Sequence, residues 1–376
     1  MSRMLGPRMI AVLALSVAVS SGSVQAEASG ATWTFVAPLN LGTFTTLRGV
    51  SSSASTDGWA VGNYEDGASH TFTLAEHWNG TAWSVAKTPN PSTTSIFTSV
   101  VDLSPTSAWA AGYWIDVGGN YQALFEHWNG KTWKLVRGAP DPTGFQDQIY
   151  GIAAASPTAL WAVGDHYSGS IGGFDGLIEQ WNGKPWKQVG DVTTDLGLTS
   201  VSARSTTDVW AVGQLRPAES PHFLHWNGSA WTEYSDPSVQ SSYVTSVTAI
   251  SANDVWAVGY WAPAQNAPYI TLSEHWNGTN WSFVNSPNPA PGTVNLFLGV
   301  SAVASNDVWA VGYDYQDTAS PVLENWDGTQ WNIEPAPFPG GTTDHRLFAV
   351  SALPSGAILA TGRTGYNPAS IVSDNG

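Results

Sequence analysis

Apolar residues in this chain fall in short runs broken by Gly, Pro, Asn and Ser, and no segment sustains a helical period. Runs of about four to eight residues bounded by such turn formers read as β-strands. Three marks recur along them. The first is Trp-Ala-Val-Gly, beginning at Trp59, Trp109 (as Trp-Ala-Ala-Gly), Trp161, Trp210, Trp256 and Trp309. The second is His-Trp-Asn-Gly or a close variant, with its indole at Trp78, Trp128, Trp181, Trp226, Trp276 and Trp326. The third is a lone tryptophan at Trp33, Trp83, Trp133, Trp186, Trp231, Trp281 and Trp331. The spacing is close to 50 residues, so the chain beyond its first 26 residues divides into seven units.

Each unit reads as four strands. Strand a surrounds Val50, Val100, Ile152, Val201, Val247, Val300 or Val350; strand b carries Trp-Ala-Val-Gly. Strand c ends in the second tryptophan, and strand d carries the lone one. The Asn-Gly between c and d predicts a type I′ hairpin turn with positive φ at both central residues. The expected fold is therefore all-β: a seven-bladed β-propeller with four antiparallel strands per blade. The last unit reaches only Asp374-Asn375-Gly376, where a strand-c tryptophan and its turn belong. Thr32-Trp33 begins the chain's first strand with the spacing of a strand d. The amino-terminal strand is thus expected to complete blade seven, which closes the ring and hides a sheet edge.

Composition adds a compartment and removes some partners. Arg3 and Arg8, the apolar run Met9–Val19 and Val24-Gln25-Ala26 have the order of a Sec-type signal peptide. Residues 1–26 are expected to be a signal peptide and 27–376 one propeller domain, secreted or periplasmic. The absence of cysteine leaves packing to hold the fold together. A net charge of −16 argues against nucleic acid, which needs a basic footprint, and no later run is long enough to cross a bilayer as a helix. The expected partners are a glycan or an extracellular or cell-surface protein, met by a monomer with no cofactor and no metal.

Nineteen of the 21 tryptophans belong to the repeat, which marks them as packing between blades. Neighbouring residues on a strand face opposite ways, so Glu76-His77, Glu126-His127 and Glu274-His275 cannot each build one metal or acid–base site. The histidines are expected to anchor turns, bonding Asp57, Asp208, Asp254 or Asp307 ahead of strand b. Strand b ending in Gly, then a strand-d tryptophan followed by proline (Pro89, Pro140, Pro237, Pro287), resembles the kelch-type propeller repeat. The Asn-Gly-x-x-Trp spacing is similar to the Asp-box of sialidase-like propellers, without its acidic residue. The whole unit is similar to Trp-Ala-Val-Gly repeats of exported bacterial propellers. This resemblance implies a fold and leaves activity open, since propellers host lectins, scaffolds, lyases and hydrolases.

Spacing places the function. The a-to-b interval is nine residues in all seven units, and the c-to-d interval is five in six. The b-to-c interval varies from 16 to 20 and the d-to-next-b interval from 24 to 28. Strands alternate in direction, so all the variation lies on one face of the disc, where ligands are expected. That face offers Tyr113, Trp114, Tyr260, Trp261 and Tyr313. Trp114 and Trp261 are the two tryptophans outside the repeat, suited either to stacking on sugars or to loop packing. Blade seven breaks the pattern: Leu359 stands for the strand-b tryptophan, Asp374 for the strand-c one, and Asp344-His345-Arg346 precedes strand a. With Arg363 and with Arg48 of blade one, three arginines gather there, either to hold a carboxylate or to form a salt-bridge network. Two functions follow. One is a non-catalytic, lectin-like or interaction-mediating propeller. The other is a polysaccharide lyase or glycoside hydrolase using Asp344, His345, Arg346, Arg363 and Arg48, with His345 or Tyr366 as base.

Overall fold

The computed structural model describes residues 32–140, 146–167, 173–189, 196–215, 220–235, 241–339, 344–353 and 355–374. The expected signal peptide lies outside them. The described residues hold 28 strands in seven four-stranded antiparallel sheets and no helix: a seven-bladed β-propeller. Blade 1 is typical, with strands a to d at Phe44–Ala54, Asp57–Glu65, Thr71–Trp78 and Trp83–Ala86. Blade 7 takes His345–Ala352, Ile358–Thr364 and Asn367–Asp374, and its outer strand is Thr32–Val36. Trp33 lies opposite Ser373 and Thr34 opposite Val372, so the ring closes as the spacing predicts.

Two features of the sequence are corrected by this geometry. Trp78 pairs with Trp83, leaving four residues in the c–d turn rather than the two of a type I′ hairpin. Gly80 has φ +94° and Asn79 does not share a positive φ; instead the Asn79 Oδ1 accepts the Thr81 and Ala82 N–H groups. Asparagine is there as a side-chain acceptor that closes the loop. In blade 7, Ser373 rather than Asp374 occupies the strand-c tryptophan position, because Ser373 pairs with Ile358 as Trp78 pairs with Gly58.

The glycine ending Trp-Ala-Val-Gly is dictated by close approach. Strand a skips one residue opposite it, as between Leu47 and Gly49, and this bulge drives a carbonyl against strand b. A Cβ on Gly62 would lie 1.9 Å from the Thr46 carbonyl oxygen, and the same position in blade 4, Gly213, would meet Gly197 O at 1.8 Å. No side chain fits there. The skipped residue, Arg48 in blade 1, is thereby turned toward the central channel.

The tryptophans form the joints between blades. Trp59 of blade 1 meets Trp128 and Trp133 of blade 2, each at 4.9 Å between centroids, the second nearly perpendicular. Trp309 meets Trp33 at 5.2 Å, so the closing strand uses the same joint. Such edge-on pairs add about 0.5–1.5 kcal/mol each beyond the area they bury. Where blade 7 has Leu359, that side chain joins the cluster of Trp78 and Trp83, and Trp83 Nε1 donates to Ser370 Oγ at 2.9 Å. The histidines anchor turns as expected: His77 bonds Asp57 at 2.7 Å, and His225 and His275 bond Asp208 and Asp254 at 2.9 Å. In blade 6, Asn325 Nδ2 takes the same role toward Asp307.

The strand-c glutamates two residues before the strand-c tryptophan, Glu76, Glu126, Glu179, Glu274 and Glu324, are buried. Glu76 accepts the Leu39 N–H and Glu179 the Ala139 N–H, each from the residue six beyond a strand-d tryptophan. For Glu126 and Glu324 that residue is Pro89 or Pro287, which has no N–H, and both carboxyl groups lack a hydrogen-bond partner. Burial accordingly pushes Glu76 and Glu179 up to about 7, the backbone donor opposing it, and pushes Glu126 up to about 9.

Candidate functional site

The bulge residues of the seven strands a are Arg48, Thr98, Tyr150, Thr199, Thr245, Leu298 and Phe348, and together they ring a channel cavity of about 250 Å³. The polar neutral members are spoken for: Tyr150 OH donates to Gln148 Oε1 at 3.2 Å. Thr98, Thr199 and Thr245 each donate to a carbonyl of their own strand b and to one of the next blade, such as Ala111 and Ile149 for Thr98. Arg48 is the one charged member of the ring. Its Nε donates to Asn63 Oδ1 at 2.9 Å, and it makes no ion pair among the described residues. Arg48 is exposed to the channel, and the protein walls around it hold its pKa below the usual value, with Tyr113 opposing the shift and Arg363 adding to it.

The other two arginines of the expected cluster are occupied. Asp344 lies between them, accepting from Arg346 Nε at 2.8 Å and meeting Arg363 Nη2 at 3.0 Å. Arg346 lies over the Tyr313 ring at 4.7 Å and Arg363 over Phe44 at 5.5 Å, so the network ties blade 7 to blades 6 and 1. His345 is the neighbour of Arg346 on the strand and so faces the other way. Its Nδ1 bonds Thr364 Oγ1 at 2.8 Å, and its ring lies 4.7 Å from Phe338. Tyr366 caps the tight b–c turn of blade 7 with its side chain 70% exposed, 6.1 Å from Phe44. The geometry thus joins Asp344, Arg346 and Arg363, and gives His345 and Tyr366 contacts of their own.

The aromatic candidates divide in the same way. Tyr260 stacks on Tyr243 at 5.0 Å and meets Tyr269 at 5.1 Å. Burial pushes its hydroxyl up to about 12, and Tyr269 and Tyr313 add to the shift. Tyr113 meets Tyr121 at 5.4 Å, and burial raises its pKa while Arg48 opposes the rise. Trp261 packs edge-on against Phe283 at 5.6 Å, with its Nε1 buried. Trp114 lines an open cleft on the outer part of blade 2. Sequence reasoning passed over Tyr150, Tyr243 and Asn63. The signal for Tyr150 was its place two residues before the strand-a mark, the position Arg48 holds in blade 1.

Among the described residues no three His, Asp or Glu side chains gather as metal ligands would. The ring thus offers one cation without an ion pair among the described residues, in the channel and close to Tyr113. Such a site can orient an anionic group by charge-assisted hydrogen bonds.

No family model and no curated protein matches the chain. Solved structures do. The chain is similar to YCF48 bound to D1 peptide, at 14% identity and TM-score 0.58, covering 92% of this chain and 97% of that one. It is similar to an ulvan lyase of polysaccharide lyase family PL25 bound to a GlcA–Rha3S saccharide, at 10% identity and TM-score 0.56, covering 90% and 94%. It is also similar to the six-bladed fucose-recognising lectin of Aleuria aurantia, at 12% identity and TM-score 0.51, covering 80% and 100%. At these identities the likeness establishes the propeller fold.

Proposed function

We propose that this chain is an exported, non-catalytic binding propeller that holds an acidic group of a glycan or protein partner at the channel mouth. The observation that carries the reading is Arg48. It is a cation without a counter-charge among the described residues, turned into the channel by the strand-a bulge and flanked by Asn63 and Tyr113. Arg48 is exposed to the channel, and the low-dielectric walls around it focus its field on an anion more than an open surface would. Similar folds that bind a peptide, a GlcA–Rha3S saccharide or fucose support ligand binding as the general role. Export rests on the signal-like residues 1–26, and the kelch-like and Asp-box-like reading of the repeat rests on motif spacing alone.

The test is a glycan array carrying uronate and neutral saccharides, with a peptide array bearing free or amidated C-termini beside it. Binding should favour the acidic or free-carboxylate members and fall about tenfold or more in an Arg48→Gln protein, as expected for losing a charge-assisted pair. Binding indifferent to Arg48 would remove the site. The catalytic alternative has less support, because Asp344 occupies Arg346 and Arg363 while His345 bonds Thr364. Uronic polymers incubated with the protein should give no unsaturated product; product that vanishes in His345→Ala would reverse the ranking.

A further inference from the structure

The two tryptophans outside the repeat occupy matching positions on strand b of blades 2 and 5; Trp114 lines an open cleft, whereas Trp261 packs against Phe283. The difference traces to three residues. In blade 1, Thr73 on strand c bonds Thr88 Oγ1 at 2.7 Å, and its N–H donates to Asn90 Oδ1 at 2.9 Å. In blade 5, Thr271 makes the same bonds with Ser286 at 2.7 Å and Asn288 at 3.1 Å. These side chains plug the space between strand c and the chain leaving strand d. Counted from the strand-d tryptophan, blade 2 has Gly138 and Pro140 at the two exit positions, and Ala123 on strand c. None can form the plug. The space stands as a cleft of about 520 Å³ whose lining includes Trp114, Leu135, Ala123, Gly138, Gln122 and Arg137, with Asp147 buried beside them. In blade 5, Phe283 takes the place of Leu135 and covers Trp261.

We propose that this cleft is a second binding site, separate from the channel mouth, and that it takes a neutral disaccharide unit. Its volume lies within the range of small-ligand sites, about 300–1,000 Å³, and suits two sugar rings. An indole beside a leucine offers a flat apolar wall for the C–H face of a pyranose. Gln122 and Arg137 provide donors and an acceptor beside it for hydroxyl groups, while the buried Asp147 is bonded to His166 Nδ1. Neutrality follows from charge: the chain carries −16, and the lining brings one arginine and one aspartate, so the cleft offers a polyanion no net attraction.

Saturation-transfer NMR with cellobiose, maltose and lactose tests it, with the tripeptide Gly-Trp-Gly as the competing chemistry. At least one disaccharide should bind. Its affinity should drop roughly tenfold or more in Trp114→Ala, the order expected for removing an aromatic wall. It should drop as far in Ala123→Thr/Gly138→Thr/Pro140→Asn, which rebuilds the plug from the residues that blade 1 accommodates, and should be unchanged in Trp261→Ala and Arg48→Gln. Absence of binding by all three sugars, binding that survives both cleft variants, or a signal from the tripeptide alone would overturn the proposal.

Discussion

At single positions, function and fold share the same bulge. Gly62 exists because strand a pushes the Thr46 carbonyl into the volume of a Cβ, and the residue skipped by that bulge is Arg48. Gly62→Ala is therefore expected to cost well over the ~1 kcal/mol typical of a point change, whereas Gly67→Ala, where a Cβ meets nothing, should be near neutral. Urea unfolding of the two variants checks this; similar midpoints would remove the argument. Proline at position 89 has an effect of comparable locality. Pro89→Ala restores the backbone donor that Leu39 gives Glu76, so the Glu126 pKa should fall from about 9 toward the 7 of Glu76. A carboxyl-detected NMR titration reads it directly, and an unmoved Glu126 would show that the N–H does not reach.

Among strands, the decisive one is Thr32–Val36. It completes blade 7 by pairing with Asn367–Asp374, and Trp33 forms the blade 6–7 joint against Trp309. Trp33→Ala should cost about 3–5 kcal/mol, the usual price of removing a buried indole, and as much as Trp133→Ala at an internal joint. A much smaller loss at Trp33, measured in denaturant, would mean that the ring is held shut by backbone pairing rather than by this joint. Deleting the strand exposes the outer edge of Asn367–Asp374, and light scattering should then report self-association.

Taken as one body, the propeller carries buried carboxyl groups that hold their protons to higher pH than free ones do. Glu76 and Glu179 at about 7, Glu126 at about 9 and Asp102 at about 6 are all raised by burial, and Glu324 is raised as well. Their folded pKa values exceed the unfolded ones. The stability they contribute is thus complete below about pH 4 to 4.5 and is lost as pH climbs through about 6 to 9. Asp66, Asp116 and Asp327 have the opposite sign, held low by hydrogen bonds at exposed turns, and oppose the trend only under more acid conditions. The melting temperature should accordingly be several degrees higher near pH 5 than at pH 8, and the slope should flatten in Glu126→Gln. A melting temperature that rises with pH over that interval would contradict the assignment.

The repeat made much of this legible in one dimension. Seven units, four strands each, the closing strand, the histidine–aspartate anchors and the face of variable loops all follow from spacing, because a strand's period and a blade's joint recur at fixed intervals. Turn type and the Ser373 register did not follow, since both depend on how many residues remain once the strands pair. The candidate sites were legible only in part. Arginines that cluster in sequence proved to be two partners of Asp344 and one unpaired Arg48, and twin tryptophans proved to be one covered by Phe283 and one lining a cleft. Sequence alone determined the architecture because that depends on local pattern. Tertiary structure decided which charge is left uncompensated and which ring left uncovered, because both are set by neighbours from other strands and blades.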